Sequence, residues 1–378
     1  MAMTFYDESA SMVKWKRFHC QVSYQPLSVG LGPCLSGAMK PKTRSRIATP
    51  GRPRMEDVAR LAGVSLVTVS RVLNTPDAVT PATRQAVMAA VRRIGYVPNL
   101  TAGALAGSRS RIIAAIVPTI ANSIFADTIQ GLSDRLERAG YTILLGQTGY
   151  DAQRERALVT AMLGRRPDAL MLVGAPLSPA TGRMLAAAGI PIVQTWEMMR
   201  RPIDHVVGFS NATAGRVVAE HFVARGYRHI GFVGGADARS KARREGFETA
   251  LVAAGITPLP AATVPSPGMV ANGRDSLSRI LAEGKPVDAL FLSTDVLAIG
   301  ALLECQRQGI AVPQRLAIAG FGDQDLAREM VPPLTTVRIS GLEIGDRAAD
   351  LLLDAVAGKP SGAQRIDLGV QLIVRATT

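Results

Sequence analysis

The side chains best suited to chemistry lie between Ser65 and Asn74, in the run SLVTVSRVLN. Ser65, Thr68, Ser70 and Asn74 carry short hydrogen-bonding groups, and Arg71 adds a guanidinium. These are groups that meet base edges and phosphate oxygens. Leu66 and Val67 offer methyl surface of the kind that packs on thymine. Arg71 is best matched to guanine or to phosphate. Thr80 and Asn99 join them as candidates for contact with a double-stranded DNA site.

The elements that must hold these groups follow from their neighbours. Glu56, Asp57, Val58, Ala59, Leu61 and Ala62 outline a short amphipathic helix with its acids in the first turn, where the helix dipole favours them. Gly63 permits a tight corner, Val64 fills the angle, and Ser65 caps a second helix from Leu66 to about Leu73. Two short helices around a glycine also occur in ordinary cores, so the flanks decide. Thr80-Pro81 is an N-cap with proline at the first helical position. It opens a helix to about Ile94 that buries Val87, Val91 and Ile94 and ends at Gly95. The sum is a helix-turn-helix headpiece over 55–98, with its second helix expected in a major groove. Asn99 caps a two-turn segment over 99–110 that contains Gly103 and Leu105. Such a segment is unstable alone, so it is either a helix formed only when held or a plain flexible linker.

From Arg111 the pattern becomes alternating strands and helices. RIIAAIVP is a continuous apolar run bounded by proline, as a buried parallel strand requires. A helix near 124–139, YTILLGQT, a helix near 151–164, ALMLVG, a helix near 179–188 and PIVQTW follow. The alternation resumes after 208 and runs to LAIAGF, giving two doubly wound α/β lobes over 111–378. Ligands in such folds sit beyond the carboxyl ends of strands, here in the cleft between lobes. That rule selects Asn122 and Phe125 at the first helix, and Trp196 and Glu197 after PIVQTW as a stacking face and a hydroxyl acceptor. It also selects Asp295 after FLST, which either accepts ligand hydroxyls or is simply the acid at a helix N-terminus. Lys241, Arg243 and Arg244 stand at another helix entrance. A guanidinium grips a carboxylate through two bonds, whereas lysine acts as a point charge. Arg244 reads as a surface residue, so one cation of this cluster is expected to touch the ligand. Asp323, ending GFGD, reads first as a turn residue.

Composition narrows the class. The chain has 378 residues, 47% hydrophobic but only 4% aromatic, so aliphatic side chains must fill its cores. Its net charge is +13, and residues 1–110 hold fifteen basic against five acidic residues, an electrostatic footprint for phosphate. Cys20, Cys34 and Cys305 lack metal or disulfide spacing. No apolar run of membrane-spanning length and no signal-peptide layout occurs, so a cytoplasmic location is expected. His19, His205, His221 and His229 share no ligand spacing. GxxxxGK[ST], GxSxG and HExxH motifs are absent, and GLGPCLSG precedes any βαβ unit, so neither an enzyme nor a cofactor is expected. Residues 1–54 read as a basic, unstructured extension, with Met39 as the expected natural start. Arg52 and Arg54 stand where an arm meets phosphate.

In order, DVARLAGVSLVTVSRVLN, TPATRQAV, GYVPN and ALAG resemble the lactose-repressor (LacI/GalR) family of bacterial regulators over roughly 52–375. VPTIANSIFADTIQGL, VGFSNATAG, RGYRHIGFVGG and LAIAGFGDQD look most like its gluconate-operon repressor branch. The resemblance implies a periplasmic-binding-protein-like body whose late elements, around 334–375, cross back between lobes. It also implies a homodimer on a pseudo-palindromic operator and hinge helices that wedge Leu105 into the minor groove. Arg243 matches the family's sugar-contacting arginine, and a sugar acid such as gluconate is the implied effector. Family members often carry a polar residue at 67, so Val67 weakens any transfer of base preference. Alternatives are a neutral-sugar or purine effector, or a periplasmic-type sugar receptor; the headpiece and the missing signal peptide oppose the last. A sugar-acid kinase is more distant.

Overall fold

The computed structural model describes residues 53–97, 109–121, 123–359 and 362–378. Asn99, Leu105 and Asn122 therefore lie outside the described residues, as do Arg52 and nearly all of the N-terminal extension. The chain divides into two compact units between Val97 and Pro98.

The first unit contains α1 (Met55–Ala62), α2 (Leu66–Asn74), a 3-10 turn (Pro76–Ala78) and α3 (Pro81–Ile94). Local chemistry sets each boundary. The Asp57 carboxylate accepts the Arg54 backbone N–H at 3.0 Å, and Gly63 ends α1 in a left-handed conformation at φ 67°. Ser65 Oγ accepts the Thr68 N–H at 3.2 Å, and Thr80 Oγ1 accepts the Thr83 N–H at 3.5 Å, so both expected caps form. Val58, Val69, Val72, Val87 and Tyr96 close a small core between the three helices.

The second unit holds two lobes. The first lobe's sheet runs β11-β5-β4-β3-β1-β2. Its strands are β1 (Ile112–Val117), β2 (Thr142–Gln147), β3 (Ala169–Val173), β4 (Ile192–Thr195), β5 (His205–Gly208) and β11 (Arg365–Asp367), all paired in parallel. The second lobe's sheet runs β12-β10-β9-β8-β6-β7. Its strands are β6 (Ile230–Gly235), β7 (Ala262–Val264), β8 (Ala289–Leu292), β9 (Ala317–Gly322), β10 (Thr335–Arg338) and β12 (Gln371–Ile373). Here β12 pairs antiparallel with β10, a departure from the all-parallel expectation at an edge where such strands are common. Strand alternation sends Ile113, Ala115 and Val117 to a core shared by the lobes, and Ala114 and Ile116 to the first lobe's outer layer.

The helices of this unit are α4 (Ala126–Arg138), α5 (Ala152–Leu163), α6 (Pro179–Ala186), α7 (Asn211–Ala224), α8 (Ala238–Ala253), α9 (Val270–Ala282), α10 (Asp295–Gln308), α11 (Asp325–Glu329) and α12 (Gly341–Val356). α7 packs on α8 in the second lobe, and α12 packs on α4 in the first. Among the described residues the chain thus passes between lobes three times: from β5 to α7, from β10 to α12, and from β11 to β12. Facing glycines bring three helix pairs close. A Cβ at Gly215 of α7 would lie 1.8 Å from the Arg243 carbonyl oxygen, and one at Gly246 of α8 would lie 2.0 Å from that of Ala212. Gly131 and Gly345 join α4 to α12 in the same way, and Gly273 and Gly300 join α9 to α10.

Candidate functional site

In the headpiece, α2 turns Val69 and Val72 inward and leaves Val67, Ser70, Arg71 and Asn74 at helical spacing on the opposite side. Val67 is 60% exposed and Leu66 43% exposed, so an apolar pair opens the face. Arg71 and Asn74 are exposed, and Ser70 and Thr68 are half-buried. Asn74 Nδ2 donates to Ser70 Oγ at 3.3 Å, and the Thr68 hydroxyl pairs with that of Ser65 at 2.9 Å. Ser65 and Thr68 therefore brace the start of α2, while Val67, Ser70, Arg71 and Asn74 form its free face. Thr80 caps α3, whose last turn carries exposed Arg92 and Arg93. Arg84 reaches back to the Pro76 carbonyl at 2.5 Å and to Asp77 at 3.2 Å, fixing the turn before α3.

The second site is a chamber between the lobes. Phe125, Tyr150 and Trp196 come to it from the first lobe, and Asp237, Arg239, Arg243 and Phe321 from the second. Its free volume is about 30 Å³. That is on the order of one or two waters. A second chamber of about 250 Å³ adjoins it, with Tyr150, Asp237 and Arg239 in the wall of both.

Arg243 is the most constrained group here. It is buried in α8, its guanidinium carbon 4.2 Å from the Phe321 ring centroid, and its Nη1 donates to Asn211 Oδ1. Its Nε has no hydrogen-bond partner. Burial pulls its pKa down to about 10, against the opposing influence of Asp237, so it remains a cation at neutral pH. Asn211 in turn donates through Nδ2 to the Trp196 carbonyl at 3.1 Å. Trp196 Nε1 donates to Thr128 Oγ1 at 3.0 Å, and that hydroxyl donates to the Gly341 carbonyl at 3.1 Å. One chain of bonds therefore runs from Arg243 past the crossing before α7 to the crossing before α12.

The other expected residues divide. Phe125 closes a 3-10 turn (Ser123–Phe125) before α4 and meets Trp196 edge-on at 4.7 Å. Trp196 is 1% exposed and also packs edge-on against Phe209 at 5.8 Å, so it is a buried wall rather than an open stacking face. Its φ of 71° is uncommon for a bulky side chain. Glu197 is half-buried and lines the larger chamber. Asp295 lines neither; its buried carboxylate accepts Thr336 Oγ1 at 2.5 Å and Gln324 N at 2.8 Å. Of the cation cluster, Lys241 is exposed, and Arg244 pairs with Glu248 at 2.7 Å. Asp323 is more than a turn residue: it meets Arg375 at 2.5 Å, Arg338 at 2.6 Å and Arg328 at 3.3 Å.

Sequence reasoning missed Tyr150, Asp237 and Arg239. Asp237 caps α8 through Ser240 N at 3.1 Å and accepts Ser266 Oγ at 2.9 Å. Among the described residues no cluster of His, Cys, Asp and Glu could hold a metal ion, and no helix is long and apolar enough to cross a membrane.

A helix-turn-helix headpiece joined in one chain to a two-lobed body with an interlobe chamber defines a transcriptional regulator. The model for bacterial regulatory proteins of the lacI family matches residues 54–99, and that for periplasmic binding protein-like domains matches 219–378. The HTH-type transcriptional regulator GntR of Pseudomonas aeruginosa is 37% identical over 89% of this chain and 99% of its own. That of Escherichia coli is 34% identical over 85% and 97%. A LacI family transcriptional regulator from Silicibacter pomeroyi superposes with a TM-score of 0.81 at 34% identity, covering 86% of this chain and 99% of that one. The lac repressor dimer bound to operator and the anti-inducer ONPF gives 0.75 at 25% identity, covering 87% and 99%. This chain belongs to the lacI family of bacterial transcriptional regulators.

Proposed function

We propose that this regulator is a repressor. As a homodimer it reads a pseudo-palindromic operator with two α2 helices, and a sugar acid of the gluconate type binds in its interlobe cleft and releases it. The lac repressor likeness, seen as a dimer on operator, supports the pairing and the DNA site. Phosphate contacts from the basic headpiece give most of the affinity and make it fall with salt, while Val67, Ser70, Arg71 and Asn74 select sequence. Leu105 is assigned the minor-groove wedge on the family resemblance alone.

The observation that carries the acid class is the pair of cations in the wall of the cleft, Arg239 and Arg243, the second of them buried with an unmated Nε. A buried donor without an acceptor costs about 1–3 kcal/mol, and a ligand oxygen that reaches Arg243 removes that cost. The bonds from Arg243 through Asn211 and Trp196 to Thr128 link such a ligand to the crossings on which the lobes turn. A coupling of about 1–3 kcal/mol alters operator affinity roughly 5- to 150-fold.

Calorimetric titration of the full chain with gluconate tests this, with Arg243→Ala beside it. The expected result is saturable binding that the variant loses by at least about tenfold, and operator release by the same ligand. Folded protein that binds no sugar acid would remove the effector assignment and turn attention to neutral sugars and purines.

A further inference from the structure

We infer that the effector's carboxylate is read by Arg239, across the seam between lobes, in the larger chamber, and that Arg239 rather than Arg243 sets the preference for an acid. This inference rests on the acid reading above and asks which residue enforces it.

Volume comes first. The chamber at Arg243 holds about 30 Å³, whereas its neighbour holds about 250 Å³. Small-molecule pockets begin near 300 Å³, so only the neighbour approaches the size of a six-carbon acid in this closed arrangement.

Geometry comes second. Arg239 stands in the first turn of α8 in the second lobe, yet its guanidinium lies over first-lobe rings. Its carbon is 5.5 Å from the Phe125 centroid and 5.9 Å from that of Tyr150. Its Nη1 is close enough to Gly174 that a Cβ there would lie 2.6 Å away. Arg239 thus reaches the carboxyl end of β3, where doubly wound lobes bind ligands. Arg243 faces the smaller chamber, with Asn211 and Phe321 already in contact.

Charge comes third. Glu155 and Glu197 are the acids at the first-lobe side of the larger chamber; Glu155 accepts the Leu177 N–H at 2.7 Å, and Asp237 is engaged by Ser240 N and Ser266 Oγ. A ligand carboxylate avoids Glu197 and turns to Arg239. The hydroxylated tail then lies toward Glu197, a carboxylate suited to accepting several hydroxyl protons.

The test compares gluconate with gluconamide, which keeps the polyol and removes the charge. Titrations use full-length wild type, Arg239→Gln, Arg239→Lys and Arg243→Gln, each checked for folding by thermal unfolding. Arg239→Gln should lose about 10- to 100-fold for gluconate while changing less than threefold for gluconamide. Arg239→Lys should recover part of the loss, since it restores the charge without the fork. Arg243→Gln should weaken both ligands together. An unchanged acid-to-amide ratio in folded Arg239→Gln overturns the assignment, as does a loss of that ratio in Arg243→Gln alone. Wild type that binds neither compound overturns the acid reading itself, a result distinct from either.

Discussion

Asp295 shows how burial rewrites a side chain's role. Its carboxylate is enclosed, and that burial pushes its pKa from 3.8 to about 6, despite the bonds from Thr336 and Gln324 that favour the charged form. Because the folded value lies above the ordinary one, the protonated form favours folding. That contribution is full below about pH 4 and is lost as pH rises through about 6. The difference amounts to roughly 3 kcal/mol. Urea unfolding between pH 4 and 7 should show this slope in wild type and not in Asp295→Asn. Asparagine cannot accept both bonds, so the slope and not the absolute stability carries the result. An identical slope in the variant would place its source elsewhere. Legibility differed sharply among single residues. Arg243 stood out through its match to the family's sugar-contacting arginine, since Lys241 and Arg244 share the same helix entrance after a strand. Arg239 did not, because its meaning depends on Phe125 and Tyr150 in another lobe. Trp196 was legible as a cleft residue, but its enclosure by Phe125 and Phe209 required tertiary structure.

At the scale of elements, close helix pairing carries a prediction. α7 and α8 touch through Gly215 and Gly246, and a methyl at Gly215 would meet the Arg243 carbonyl oxygen. Gly215→Ala must push the helices apart or displace backbone, at a cost of about 1–3 kcal/mol from overpacking. Thermal unfolding should record that loss, and calorimetry should record weaker effector binding because Arg243 rides on the displaced segment. Unchanged stability would mean that the helices separate freely. Most elements were readable in advance: caps at Ser65 and Thr80, glycine stops, and apolar runs bounded by turns. β5 was not, since His205–Gly208 is four residues long and follows β4 too closely to register as a separate unit. The start of α4 was read two residues early because the 3-10 turn at Ser123–Phe125 continues the same helical spacing. The antiparallel pairing of β12 left no mark in its sequence, since direction is set by the preceding crossing and not by residue type.

For the molecule as a whole, the nearly filled chamber at Arg243 makes access a question of lobe motion. A ligand of several carbons that is to touch Arg243 must widen this chamber. Stopped-flow fluorescence should therefore give an observed association rate that levels off as ligand concentration rises, the limit being the opening rate. Trp196, in the chamber wall, is the reporter. A rate that climbs linearly to the highest concentration would mean the cleft stands open in solution.

The three crossings between lobes bear on how the chain is made. The first lobe is begun by β1 at residue 112 but takes α12 from 341–356 and its edge strand β11 from 365–367. During synthesis, this lobe therefore waits, with the α4 face that receives Gly345 uncovered, until almost all of the second lobe has left the ribosome. Cutting the gene between lobes would yield two incomplete pieces, neither owning all the segments its fold requires. Emergence of α12, β11 and β12, rather than the appearance of the first sheet, is the point at which both halves become whole.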